Sequence, residues 1–145
     1  MRLIVLMFLL FASLLYAQSQ ISAESINGLY LNYLKSIEKP QNDALKKLPE
    51  IKNNFIDGKY KSSDLYQVVI LRDSIGLWEQ VYMLVHSWQG DTVTATLASE
   101  MNVVKGYPYG STFIYTEDKI KDWLLIHSDG KEEGNYIVKY FQSLK

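Results

Sequence analysis

Cysteine is absent from all 145 residues, and that absence removes several kinds of chemistry at once. No disulfide, thiolate nucleophile or thiolate metal site is possible, and without a lipobox cysteine there is no lipid anchor. Histidine is nearly as scarce, at two residues, with no H-x-x-x-H, H-x-H or H-x-x-E spacing to suggest a metal site. Charge of one sign is not in excess: 15 Lys and Arg stand against 16 Asp and Glu. A near-neutral chain lacks the basic footprint of a nucleic-acid binder. No Lys/Arg-rich amphipathic segment suits a membrane surface. The nucleophile elbow G-x-S-x-G, a glycine-rich phosphate loop and the zinc-protease H-E-x-x-H are all missing. No cofactor and no metal are expected, and catalytic residues are expected to be none.

Long hydrophobic runs are confined to one place. Leu3 to Leu15 is apolar except for Ser13, follows the single basic residue Arg2, and precedes the small-x-small triplet Ala17-Gln18-Ser19. That is the layout of a secretory signal peptide over residues 1–19, cleaved after Ala17 or Ser19. The run is shorter than the roughly 20 apolar residues of a membrane-spanning helix. The expectation is an exported protein, periplasmic or secreted, with no membrane association after cleavage. About 125 residues would then remain, enough for one domain with its own core. Small exported domains often rely on disulfides. This one must rely on packing, for which 11 Tyr, 5 Phe and 3 Trp offer large apolar areas.

Along the chain the hydrophobic period changes once. Ile26, Leu29, Tyr33, Leu34 and Ile37 share a helical face, with Ser22 or Ser25 as cap and Pro40 as the stop after Lys39. A second helix is expected from Asn42 to Leu48, and Pro49 would open a short third one carrying Ile51 and Phe55, closed at Asp57-Gly58. From Asp64 the pattern is that of strands: Leu65–Leu71, Leu77–Trp88, Thr92–Ala98, Ser111–Thr116, Trp123–His127 and Tyr136–Phe141. Gly90-Asp91 and Asp129-Gly130 are hairpin turns. In the second strand, strict alternation puts Trp78, Gln80, Tyr82, Leu84, His86 and Trp88 on one face. The expected class is α+β, with N-terminal helices packed on a curved antiparallel sheet of five or six strands, open or partly closed into a barrel.

One set of motifs occurs in a fixed order: Leu48-Pro49-Glu50, Glu79-Gln80-Val81-Tyr82-Met83, Gly110, Ile120-Lys121-Asp122-Trp123, Asp129-Gly130-Lys131 and Gly134-Asn135-Tyr136. In this the chain resembles the YegJ-like family, a bacterial domain of unknown function, over Asp43 to Leu144. The resemblance divides the chain into the signal peptide, a helical extension over 20–42 and an α+β domain over 43–145. It implies a shared scaffold and no particular reaction. Where the family has Glu-His-Met-Trp, this chain has Glu79-Gln80-Val81-Tyr82.

Several residues are candidates for function. Asp122 and Trp123 could be a carboxylate at a groove mouth beside a stacking surface, or a turn-capping aspartate next to a core indole. Glu79, among Val81, Met83 and Val85, could be an acid or base with a raised pKa, or a strand-end carboxylate in solvent. His86 and His127 could meet with Asp122 or Glu79, or be satisfied singly. The cluster Glu117, Asp118 and Asp122, interleaved with lysines, reads as a solvated turn. Tyr107-Pro108-Tyr109-Gly110 carries two tyrosines on a loop, and with Trp78, Tyr82 and Trp88 could form a binding platform, or these aromatics could serve the core. The leading expectation is a non-catalytic envelope protein that binds another protein through Trp78, Trp88, Tyr107 and Tyr109. The alternative is a small exported hydrolase or ligand-binding protein using Glu79, Asp122 and a histidine.

Overall fold

Ser22 opens the first element as expected, its Oγ accepting the Ser25 N–H at 3.1 Å and supplying one of the acceptors a helix start lacks. The computed structural model describes residues 22–145; the signal-peptide reading of residues 1–19 lies outside them. Helix α1 (Ala23–Ile56) then runs without interruption through both Pro40 and Pro49. The expectation of two or three shorter helices is therefore corrected. An interior proline costs a helix about 3 kcal/mol by losing a hydrogen bond and crowding the preceding turn. Here Ile37, Pro40, Ala44, Leu48 and Ile51 form one buried stripe, and burying large aliphatic side chains contributes about 1.5–3 kcal/mol each. Packing outweighs the two breaks. The stripe also differs from the expected one at its start, since Leu29 is 62% exposed while Tyr30 and Tyr33 carry the contacts. The boundary at 42/43 falls inside this helix, so residues 23–42 are an integral part of the fold.

Six strands follow: β1 (Asp64–Arg72), β2 (Trp78–Gln89), β3 (Thr92–Leu97), β4 (Thr112–Thr116), β5 (Asp122–Ile126) and β6 (Glu132–Gly134). A short 3₁₀ turn, Glu117–Lys119, joins β4 to β5. All pairings are antiparallel, in the order β4-β3-β2-β1-β5-β6. The fold is α+β, and the sheet is not closed into a barrel. The final segment is a second helix, α2 (Tyr136–Ser143), where a strand was expected. A short run such as Tyr-Ile-Val-Lys-Tyr-Phe does not distinguish strand from helix by composition; the contacts at its first turn decide, as described below.

Strand register sorts the side chains into two faces. On the inner face Leu65, Val69, Val81, Met83, Val85, Val93, Ala95, Leu97, Trp123 and Leu125 pack with Ala44, Leu48 and Ile51 of α1. Trp88 joins them, 4% exposed, although alternation assigns it to the other face. A β-bulge between Val85 and Ser87 inserts one residue and reverses the alternation beyond it. The outer face carries Tyr66, Val68, Tyr82, Leu84, Thr94, Thr96 and Leu124. The first half of α1 reaches that face at Trp78 and Gln80, so the helix touches both sides of the sheet.

The exposed Pro49 offers a direct check on this balance. Pro49→Ala restores a helical N–H where no packing is lost, and is expected to raise stability by about 2 kcal/mol in urea denaturation. A decrease would mean that the proline bend itself is needed for the fit of α1.

Candidate functional site

Asp122 and Trp123 lie at the start of β5, and both are buried, at 0% and 3% exposure. The groove-mouth expectation for this pair is corrected. Asp122 Oδ1 accepts its neighbour's N–H from Trp123 at 2.7 Å, and Oδ2 accepts the N–H of Ile137 at 2.7 Å. Ile137 is the second residue of α2, so a carboxylate from the sheet caps that helix in place of its own first residues. Asn135, in the left-handed conformation (φ 58°), turns the chain into the helix and accepts the Tyr82 hydroxyl hydrogen bond at 2.8 Å. Burial pushes the Asp122 carboxyl up to about 6, against the pull of the Ile137 and Trp123 N–H groups and the charge of Lys139. Burial, with Asp122 adding to it, also raises Tyr33 to about 12, and its hydroxyl donates to Gln80 Oε1.

Trp123 donates from Nε1 to the Ala44 carbonyl at 3.0 Å and meets the Tyr136 ring edge-on at 5.8 Å. Its own carbonyl accepts the Asn135 N–H at 2.7 Å. Gly134 sits so close that a Cβ there would lie 2.3 Å from the Trp123 carbonyl and 2.6 Å from its ring. With φ at +82° only glycine fits both demands. Beside this joint a groove of about 570 Å³ runs between α1 and the β6–α2 segment. It is lined by Lys47, Glu50, Asn54, Glu132, Glu133 and Lys139. Lysines alternate with carboxylates around it, and neither histidine lines it.

Glu79 is committed elsewhere. Its carboxylate accepts three consecutive backbone N–H groups, from Asn102 (2.9 Å), Val103 (2.8 Å) and Val104 (3.1 Å). Desolvation raises its pKa, and those three bonds more than offset the rise, leaving it below the ordinary value. The direction is opposite to that of a protonated acid at neutral pH. It anchors the 98–111 loop. Glu79 lies on the inner face and Asp122 on the outer one, so they do not converge. His86 bonds Thr96 Oγ1 at 2.9 Å, and His127 bonds Glu133 Oε1 at 2.6 Å, each alone. Among the described residues no three His, Asp or Glu side chains are placed to hold a metal ion.

The acidic turn is only partly solvated. Glu117 pairs with Lys52 of α1 and accepts the Trp88 Nε1–H at 2.7 Å, while the Lys52 ammonium stands 5.6 Å from the centre of the same indole. Asp118 alone keeps the expected solvent position. Trp78 is half-buried, stacked on Tyr33 at 4.3 Å and tilted against Tyr30 at 5.7 Å. Tyr107 leans on Phe113 at 5.5 Å. Trp78, Trp88 and Tyr107 are therefore occupied in docking α1, filling the core and holding the loop. Of the expected platform, Tyr109 remains, 70% exposed.

What is open is a part of the outer face that the sequence did not single out. Tyr66, Leu84, Thr96 and Thr112 lie side by side across β1, β2, β3 and β4, and Ile114 sits next to Thr94. Ile114 is 72% exposed, and Tyr66 and Leu84 are half-buried. Burial raises the Tyr66 hydroxyl, and Asp64 and Tyr109 add to the shift. Among the described residues the helices make their sheet contacts chiefly at β2 and β5. Comparison with family models, curated proteins and solved structures finds no match.

Two outcomes follow from the carboxylates. Asp122 binds its proton more tightly in the folded chain than in the unfolded one. The stability it confers is therefore complete below about pH 4 and is lost as pH rises through about 6. The stability difference between wild type and Asp122→Asn is expected to move by about 3 kcal/mol toward the variant between pH 4 and 7; a constant difference would refute the raised pKa. For Glu79→Gln, amide exchange at Asn102, Val103 and Val104 is expected to quicken at least tenfold, or about 1.4 kcal/mol, with β1 and β5 amides unchanged.

Proposed function

We propose that this chain is an exported, non-catalytic protein-binding module of the cell envelope. The observation that carries the reading is the strip on the outer face of the sheet that the described residues leave uncovered, where Ile114 is 72% exposed, next to the loop leading into β4, where Tyr109 is 70% exposed. An antiparallel sheet can leave one face to water, and then that face is ordinarily polar. Here the threonines of β3 stand between Tyr66 and Leu84 on one side and Ile114 of β4 on the other, a mixture of apolar anchors and hydroxyls common at recognition surfaces. The near-neutral charge favours a protein partner over nucleic acid.

The commitments of Glu79 and Asp122 to backbone N–H groups support the non-catalytic part of the reading. Asp122 is fully enclosed and out of reach of a substrate, and the N–H groups on Glu79 hold its pKa below the ordinary value, away from that of an acid poised near neutral pH. The resemblance to the YegJ-like family is consistent with a scaffold role, because Asp122, Trp123, Gly134, Asn135 and Tyr136 all serve the joint between the sheet and the two helices. Export rests on the composition of residues 1–19. Among the described residues no helix is long and apolar enough to cross a membrane.

In-cell crosslinking of the tagged protein, followed by capture and mass spectrometry, tests the proposal. One stoichiometric partner is expected, and Leu84→Ala or Tyr109→Ala is expected to reduce its capture at least about tenfold, the exposed Tyr109→Ala without lowering the melting temperature. N-terminal sequencing of the captured chain is expected to begin at Gln18 or Gln20. Recovery of the protein alone, from cells in which control proteins crosslink, would overturn the reading.

A further inference from the structure

The two edges of the sheet are finished differently. Strand β6 is three residues long and carries Glu132 and Glu133, the short and charged form that blocks edge pairing. Strand β4, at the other end, reads Thr-Phe-Ile-Tyr-Thr. It has no charge, no proline and no bulge. Among the described residues it pairs only with β3.

The register shows which of its backbone groups are free. Just beyond the strand ends, Leu97 N–H donates to the Ser111 carbonyl and Glu117 N–H to the Asp91 carbonyl, both at 2.9 Å. Hydrogen-bonded positions alternate along an antiparallel ladder, so Phe113 and Tyr115 face β3. Thr112, Ile114 and Thr116 direct their N–H and C=O groups outward. Each outward residue presents one donor and one acceptor that the sheet does not use.

We infer that β4 is a self-pairing edge, which joins a second copy of this chain antiparallel about a two-fold axis at Ile114. In that register Ile114 lies opposite Ile114 of the copy, and Thr112 lies opposite Thr116. All three outward residues of each strand exchange their N–H and C=O bonds, which no other register achieves. The side-chain pairs are complementary as well. Isoleucine meets isoleucine and threonine meets threonine on the outer face, while Phe113 meets Tyr115 on the inner one. Such pairs stabilise antiparallel ladders, and no like charges are opposed. A two-fold contact of this kind closes after two copies, giving one continuous sheet. Pairing of five-residue strands covers less than a standard interface, so the dimer is expected to populate at about 0.1–1 mM protein. Ile114 belongs to the proposed partner strip as well, but the pairing rests on the backbone groups of β4 and stands without that strip.

The absence of native cysteine makes the test clean. The purified protein, in the form the cell accumulates, is given a single cysteine by Ile114→Cys or by Thr112→Cys. Directly opposed residues in such a pair stand about 5.5 Å apart, within disulfide range. Thr112 and its own counterpart are four residues out of step, about 13 Å. Ile114→Cys is therefore expected to crosslink under mild oxidation and Thr112→Cys to stay monomeric. In the unmodified protein, amide exchange at Thr112, Ile114 and Thr116 is expected to slow as concentration rises. Ile114→Lys, at an exposed position, is expected to abolish both the slowing and the dimer in sedimentation while keeping the circular dichroism spectrum. Equal crosslinking by both cysteine variants, crosslinking by neither, or exchange independent of concentration would each overturn the inference.

Discussion

The indole of Trp123 is the point at which the helices and the sheet are joined. Its ring lies in the core on the inner face of β5, its Nε1 is tied to the Ala44 carbonyl of α1, and its backbone carbonyl holds Asn135 at the entry to α2. Gly134 has no room for a side chain against it. A large aromatic residue fixed on several sides has few alternative rotamers, and that rigidity passes to everything it touches. A chain without disulfides needs such a junction. Crossing contacts between distant segments, here Ala44, Trp123 and Asn135, do by packing and hydrogen bonding part of what a covalent link does elsewhere.

The carboxylates that look most chemical in the sequence serve the same architecture. Asp122 satisfies the orphan N–H of a helix that lacks its own cap, and Glu79 satisfies three consecutive N–H groups of the 98–111 loop. An unpaired buried N–H costs about 1–3 kcal/mol, and the two that Asp122 accepts are buried; the Glu79 bonds, nearer solvent, order the loop more than they relieve desolvation. The two sites differ in the cost. Asp122 is fully enclosed, so desolvation dominates and its pKa rises; Glu79 keeps contact with solvent, so its hydrogen bonds dominate and its pKa falls. Gln67 shows the limit of such accommodation. Its Oε1 accepts the Tyr115 hydroxyl at 2.8 Å, yet its buried Nε2 has no partner among the described residues.

Much of the architecture was legible because period and turn chemistry agree with the tertiary structure. The Ser22 cap, the end at Asp57-Gly58, the Gly90-Asp91 hairpin and five of the strands are local signals that no distant contact contradicts. The misreadings share a different cause. Pro40 and Pro49 are strong local breakers, overridden by a buried stripe that only the sheet makes worthwhile. The bulge after Val85 has no glycine to announce it, and it moves Trp88 from the expected platform into the core. Tyr136–Phe141 has the composition of a strand, and becomes a helix because a carboxylate fourteen residues upstream of Tyr136 caps its first turn. Glu117 reads as solvated beside Asp118, and only the positions of Lys52 and Trp88 draw it in. Each is a contact between segments remote in sequence, which periodicity does not encode.

The same geometry accounts for the open strip. Helix α1 is long enough to serve both faces, because its first half meets Trp78 and Gln80 and its second half the inner core. Its sheet contacts lie chiefly at β5 and β2, and α2 packs against β5 too, held by Asp122. Nothing comparable is left for the β3–β4 end of the outer face. A chain selected only for stability would place charge there, since lysine or glutamate on an exposed strand costs little and prevents association. Ile114 stands there instead, with Leu84 of β2 and Tyr66 of β1 in line with Thr96 and Thr112, backed by a sheet whose register is fixed by the core beneath it. An apolar surface that rigid needs almost no ordering on contact, and low ordering cost is what lets a small surface bind at all.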